Sequence, residues 1–333
     1  MTLSFAVLGA GRIGKVHAAA IAATPGARLA AVADAIAPAA EALAAEHGCA
    51  VRTLDEIETA GGIDAVVICT PTDTHADLIE RFARAGKAIF CEKPIDLSVD
   101  RVRACLKTVE ETGATLMIGF NRRFDPHFRA VRQAIDEGRI GDVEMVQIVS
   151  RDPGAPPATY IASSGGIFRD MTIHDFDMAR FLLGEEPETV FATGSVLVDP
   201  EIGRLGDFDS VSVTLTTRSG RHCTISNSRR AVYGYDQRIE VHGSKGAVSA
   251  ENQRPVSIEV ATAQGYTRPP LHDFFMTRYS QAYRAEIAAF IAAVGGGEAS
   301  PGGRDGLAAL LLAEAALRSV AEGRSVRVSE IAG

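Results

Sequence analysis

Through the first 120 residues, short apolar runs alternate with longer amphipathic stretches. Phe5-Ala6-Val7-Leu8, Leu29–Ala33, the pair Ala50-Val51, Asp64–Cys69, Ala88–Cys91 and Thr115–Gly119 have the length and aliphatic content of buried strands. Helical patterns separate them. One starts after Gly11 and stops at Pro25-Gly26, and others cover Pro38–His47, Asp55–Thr59, His75–Ala85 and Ser98–Thr112. Regular alternation of this kind predicts a parallel sheet with helices on both faces.

The pattern changes after Phe120. A helix is expected near Pro126–Glu137, a strand at Val143–Ser150, a proline-rich loop at Asp152–Pro157 and a helix at Ile167–Leu183. Period-two alternation then predicts strands at Thr189–Val198, Asp209–Thr217, His222–Ser228, Gln237–His242 and Val256–Val260, joined by short turns such as Gly243-Ser244-Lys245-Gly246. Successive strands of this type form a largely antiparallel sheet. Two helices close the chain, at Ser280–Val294 and Arg304–Glu322. The expectation is an α/β protein with a dinucleotide-binding domain over 1–120 and an α+β domain, with an open and largely antiparallel sheet, over 121–333.

Composition narrows the function classes. The 333 residues are enough for two cores, and 46% hydrophobic with 23% charged residues is ordinary for a globular protein. A formal charge of −8 argues against nucleic acid as a partner. Apolar stretches are interrupted before membrane-spanning length, and Met1-Thr2-Leu3-Ser4-Phe5 lacks the basic and apolar regions of a signal peptide. The five cysteines, Cys49, Cys69, Cys91, Cys105 and Cys223, form no CxxC pair. Neither a disulfide framework nor a zinc site is indicated, and a reduced, cytoplasmic protein is expected.

Gly9-Ala10-Gly11-Arg12-Ile13-Gly14 matches GxGxxG between the first strand and the first helix. Glycines there permit a tight turn and close approach of a pyrophosphate to the helix N-terminus. Asp34 ends the second strand about 20 residues on, where a carboxylate can accept hydrogen bonds from a ribose diol. Ala35-Ile36-Ala37 offers no cation for a 2′-phosphate, so NAD is favoured over NADP. Three further strand ends, Thr70-Pro71-Thr72, Glu92-Lys93-Pro94 and Phe120-Asn121-Arg122, converge on the same edge. The expected cofactor contacts are Gly9, Gly11, Arg12, Ile13, Gly14, Asp34, Thr70, Pro71, Thr72, His75, Glu92, Lys93 and Asn121.

The segment from Gly165-Gly166 to Asp177 offers reactive groups. Asp170 and His174 are four apart and share a helix face, so the carboxylate can orient the imidazole and support its protonated form. By spacing alone, a solvated helical pair is the stronger reading. Asp175 and Asp177 fall off that face, and no second histidine or cysteine cluster completes a metal site. Lys93 is either a surface lysine capping a strand or, tethered between Glu92 and Pro94, an ammonium aimed into the crevice that could stabilise a forming alkoxide.

The fingerprint, Cys91-Glu92-Lys93-Pro94 and the Asp170/His174 helix together resemble the glucose–fructose oxidoreductase/inositol dehydrogenase family over essentially the whole chain. Gly119–Asp125, Ile167–Asp177 and Tyr233–Arg238 carry the more specific likeness. The resemblance implies a catalytic set of Lys93, Asp170 and His174, a Lys–Pro peptide that is often cis, and a tetramer built through the C-terminal sheet. It also implies a substrate pocket near Lys93, Asp152, Asp170, Thr172, His174 and Tyr235. The implied activity is NAD-dependent oxidation of one secondary hydroxyl of a cyclic polyol, first myo-inositol to scyllo-inosose, otherwise scyllo-inositol, another isomer or a pyranose sugar. A non-catalytic NAD-dependent sensor is the reading from another class. Asp34→Ala should weaken NAD binding and narrow its preference over NADP in a fluorescence titration, and unchanged NAD affinity would contradict the role given to Asp34.

Overall fold

The protein, here a computed structural model describing residues 2–332, divides into two units. The first runs up to Asp125 and includes Ser280–Leu310, and the second holds Pro126–Tyr279 and the residues from Leu311 onward.

The first unit is built on six parallel strands: β1 (Leu3–Leu8), β2 (Ala27–Ala33), β3 (Ala50–Val51), β4 (Ala65–Ile68), β5 (Ala88–Cys91) and β6 (Leu116–Ile118). Their order is β3-β2-β1-β4-β5-β6, so the winding direction reverses between β1 and β4. Every residue of β1 and β4 is buried, as expected of strands covered on both faces. Helices at Arg12–Ala22, Ala37–His47, Leu54–Thr59, His75–Arg84 and Val99–Thr112 supply that cover. Local chemistry sets their ends. Thr53 and Glu56 form a reciprocal capping box, the Ser98 side chain accepts from the Arg101 amide, and Gly113 closes its helix in the left-handed region at φ 65°.

The sequence placed everything after Phe120 in the second domain, and the structure corrects this. The helix Ser280–Val294 packs within the first unit: Phe290 meets Phe5 and Phe90 at centroid distances of 6.0 and 5.8 Å, and Tyr283 stands edge-on to His17. An apolar helix late in a sequence shows its own periodicity but not which sheet it covers, so this return could not be read locally.

The second unit carries β7 (Val143–Arg151), β8 (Pro187–Ser195), β9 (Ser210–Thr217), β10 (His222–Ser228), β11 (Asp236–Gly243), β12 (Gly246–Ala250), the small hairpin β13 (Val260–Thr262) and β14 (Gly265–Thr267), and β15 (Val326–Arg327). Seven of these form one sheet in the order β12-β11-β7-β10-β9-β8-β15, antiparallel throughout except for the β7–β10 pair. Inward and outward residues alternate along β9 and β10. The helix Ile173–Leu183 packs on β7 and β10 through residues that include Phe176, Ala179 and Leu182.

Two expectations fail here. Val256–Ile258 are exposed and outside any strand, whereas the hairpin partner of β11 is β12, reached through Ser244-Lys245. The tight turn outweighs the apolar alternation that follows Pro255. The Ile167–Leu183 helix begins with a π-helical turn at Phe168–Thr172, which helical periodicity does not distinguish. The helices Ala158–Ser164 and Pro200–Arg204 are too short to leave a periodic signal.

One polar cluster lies inside the first unit. The His17 and Glu92 side chains are hydrogen-bonded, Nε2 to Oε1, at 2.6 Å. Glu286 is fully buried beside them, and neither of its carboxyl oxygens has a hydrogen-bond partner. Burial, reinforced by the negative charge of Glu92, pushes the Glu286 carboxyl well above the ordinary carboxylate range. A raised native value means the native state holds this proton where the unfolded chain has lost it. The stability it contributes is therefore complete below the ordinary carboxylate value and declines as pH rises toward the native one. Glu286→Gln should remove that loss. In denaturant titrations the variant should gain on wild type by up to about 1.4 kcal/mol per pH unit above pH 5, and equal stabilities from pH 5 to 8 would contradict a proton held at Glu286.

Candidate functional site

The carboxyl edge of the parallel sheet carries the candidate cofactor residues. Gly9 follows β1 at φ 97°, and a Cβ there would stand 2.6 Å from the Cys69 carbonyl oxygen. At Gly14 a Cβ would lie 1.9 Å from the Gly9 carbonyl oxygen, so this glycine lets the helix pack on its own loop. Gly11 differs: a Cβ there would meet nothing within 4 Å. No packing within the protein demands glycine at this helix N-cap, and the open space above it is where a pyrophosphate would rest on the amides. Arg12 is exposed and Ile13 half-buried at the start of that helix.

Asp34 closes the same loop. Its carboxylate accepts from the Ala10 amide at 2.5 Å and from the Ile36 amide at 2.7 Å. A carboxylate has about four acceptor positions, so capacity for a ribose diol remains. Thr70 and Thr74 share a hydroxyl hydrogen bond of 2.6 Å at the end of β4, with exposed Pro71 and half-buried Thr72 between them. Asn121 is buried in the turn after β6. These positions fit a dinucleotide.

Two expected cofactor contacts take other roles. His75 is 2% exposed, and its ring nitrogens face the Pro94 and Thr70 carbonyl oxygens, each at 2.8 Å. The ring sits between the two loops, and in its neutral form its one N–H donates to one of these carbonyls. Burial, the largest influence, lowers its proton affinity against the pull of the two carbonyls. Glu92 likewise turns its carboxylate inward to His17, where it lies against Gly119 at 3.0 Å from a Cβ position. Lys93, half-buried, follows directly, and its peptide bond to Pro94 is cis.

The second unit carries the helix with Asp170 and His174. Gly165 and Gly166, at φ 82° and 84°, lead into the π turn that contains Asp170, and His174 follows in the first turn of the α-helix. The Asp170 carboxylate accepts from the Tyr160 hydroxyl at 2.8 Å and lies 3.4 Å from a guanidinium nitrogen of Arg229. Asp175 points into the core, where it accepts from Ser150 at 2.6 Å and Asn227 at 2.8 Å.

Thr172 and Tyr235, expected near the substrate, are both buried. Thr172 is fully buried and donates its hydroxyl to Asn227 at 2.7 Å. Tyr235 is 6% exposed, with its ring edge-on to Phe274 and Tyr279. Both side chains build the core. Asp152 is half-buried just past β7, with its amide bonded to the Ser228 carbonyl. Sequence reasoning missed Tyr160, Asp207, Asn227 and Arg229, since single polar residues in loops and on strands leave no pattern.

A fingerprint loop at the switch point of a parallel sheet, followed by a unit with a mixed sheet, defines a dinucleotide-binding protein. Residues 3–120 match the model of the oxidoreductase family with an NAD-binding Rossmann fold, and residues 128–249 match the GFO/IDH/MocA C-terminal domain. Inositol 2-dehydrogenase of Rhizobium meliloti (strain 1021) is 72% identical over 330 residues, covering 99% of this chain and 100% of the relative. The crystal structure of a myo-inositol dehydrogenase from Corynebacterium glutamicum superposes with a TM-score of 0.94 at 46% identity, covering 98% of this chain and 99% of that one. Scyllo-inositol dehydrogenase from Lactobacillus casei, solved with NAD(H) and scyllo-inositol, gives 0.90 at 28% identity, covering 99% and 100%.

The chain belongs to the GFO/IDH/MocA family. It is an NAD-dependent dehydrogenase. Among the described residues, no helix is long and apolar enough to cross a membrane. Gly11→Ala should leave the melting temperature within about a degree of wild type while weakening NAD at least tenfold by calorimetry. Wild-type NAD affinity in that variant would contradict a pyrophosphate seat above Gly11.

Proposed function

We propose that this protein oxidises the C2 hydroxyl of myo-inositol to the ketone scyllo-inosose, as a cytoplasmic homotetramer. What supports the substrate is the 72% identity to a relative named inositol 2-dehydrogenase over nearly the whole chain. The five free thiols accord with a reducing compartment. Bound NAD supplies the hydride acceptor at C4 of its nicotinamide. The chain's own residues handle the proton and the charge. His174 takes the hydroxyl proton, Asp170 orients the ring and balances the imidazolium, and the Lys93 ammonium donates a hydrogen bond to the oxygen as negative charge develops on it. Substrate thus loses one proton to the protein and one hydride to the cofactor.

Scyllo-inositol is the second reading, because a Bacillus subtilis relative named for that isomer is 40% identical over 296 residues. NADH absorbance with a panel of inositol isomers and pyranoses should give the highest kcat/KM for myo-inositol. A tenfold preference for scyllo-inositol would select the second reading, and no NADH with any polyol would favour a sensor. His174→Ala should lower kcat by about 10²–10⁴ with NAD affinity unchanged, and wild-type turnover would remove His174 from the mechanism. Lys93→Arg should be nearly inactive, because a planar guanidinium cannot occupy the position of an ammonium.

A further inference from the structure

Arg229 is the most deeply buried arginine of the second unit, 1% exposed, and follows directly on β10 with its amide bonded to the Asp209 carbonyl at 2.8 Å. Its two terminal nitrogens reach different carboxylates: Nη1 lies 3.4 Å from Asp170 Oδ2 and Nη2 lies 3.4 Å from Asp207 Oδ2. The other Asp207 oxygen accepts from the Ile167 amide at 2.9 Å. It also stands where a Cβ on Gly166 would be, 2.8 Å away, so that glycine and carboxylate are fitted to each other. The other Asp170 oxygen accepts from Tyr160. Every oxygen of both carboxylates is thereby placed, and the two ends of the segment Gly166–Asp170 are tied to one guanidinium.

That segment is the entry to a π turn, a conformation that persists only where surrounding contacts hold it. A buried cation between two carboxylates is weak evidence of stabilisation, since an apolar replacement often does as well. Its value lies in direction. A planar fork presents two donors at fixed geometry, which a lysine point charge does not. We infer that Arg229 is a positioning residue for catalysis: it sets the orientation of the Asp170 carboxylate, and Asp207 sets Arg229. The inference rests on the reading of Asp170 and His174 as the proton-accepting pair.

The test is a double-mutant cycle in kcat between Arg229→Lys and Asp170→Asn in the full-length enzyme, with NAD affinity and melting temperature recorded for each. Arg229→Lys should keep NAD affinity and lower kcat at least tenfold, with KM for the polyol changing less than threefold. In the Asp170→Asn background the same change should lower kcat less than twofold, because the carboxylate it positions is already gone. Wild-type kcat in Arg229→Lys, or equal losses in both backgrounds, would overturn the inference while leaving the proton-accepting pair intact. Wild-type kcat in Asp170→Asn would overturn that pair and the inference together. Should Arg229→Lys fail to fold, Asp207→Asn takes its place in the cycle, with a smaller loss of kcat expected and the same non-additivity. Additive losses there would equally refute the role.

Discussion

The imidazole of His75, wedged between the carbonyls of Thr70 and Pro94, is the contact on which the cofactor edge depends. Parallel strands end in loops whose carbonyls and amides have no ladder partner, and the loops after β4 and β5 are neighbours at that edge. One buried ring fixes their spacing. Because Pro94 follows Lys93, the same ring lies against the backbone next to Lys93. On the other side of this loop, Glu92 faces inward to His17 and lies beside Glu286, whose carboxyl burial pushes well above the ordinary range.

The second unit solves a comparable problem by a different route. A helix that bears reactive groups must be anchored without consuming them. Asp175, one position past His174, is buried and bonded to Ser150 and Asn227, and Thr172, two positions before, donates to Asn227. Core contacts thus flank His174 in sequence, and the glycine pair with the π turn lets the chain change direction just before them. Thr172 and Asp175 are thus the polar residues of the motif that hold the helix.

Holding contacts of this kind are where sequence reasoning reached its limit. The parallel sheet was legible because β1, β4 and β5 are continuous apolar runs punctuated by Gly9, Thr70 and Glu92. The fingerprint was legible because the turn and the close packing at Gly9 and Gly14 impose its spacing. The inward contacts of His75, Glu92, Thr172 and Tyr235 leave no trace in the sequence, since a polar side chain in a motif looks the same whether it meets a ligand or another buried group. The return of Ser280–Val294 to the first unit and the pairing of β12 are long-range choices with no local signature. Arg229 was invisible for the same reason: its meaning lies in Asp170 and Asp207, distant in sequence.

The proposed reaction removes the C2 hydrogen of myo-inositol as hydride, with the hydroxyl proton leaving separately. Incubation of the enzyme and NAD with myo-inositol deuterated only at C2 tests this directly. Deuterium is expected on C4 of the reduced nicotinamide and absent from the ketone product, with a single-turnover rate below that of unlabelled substrate. Deuterium retained in the ketone, or undeuterated NADH formed at full rate, would contradict it.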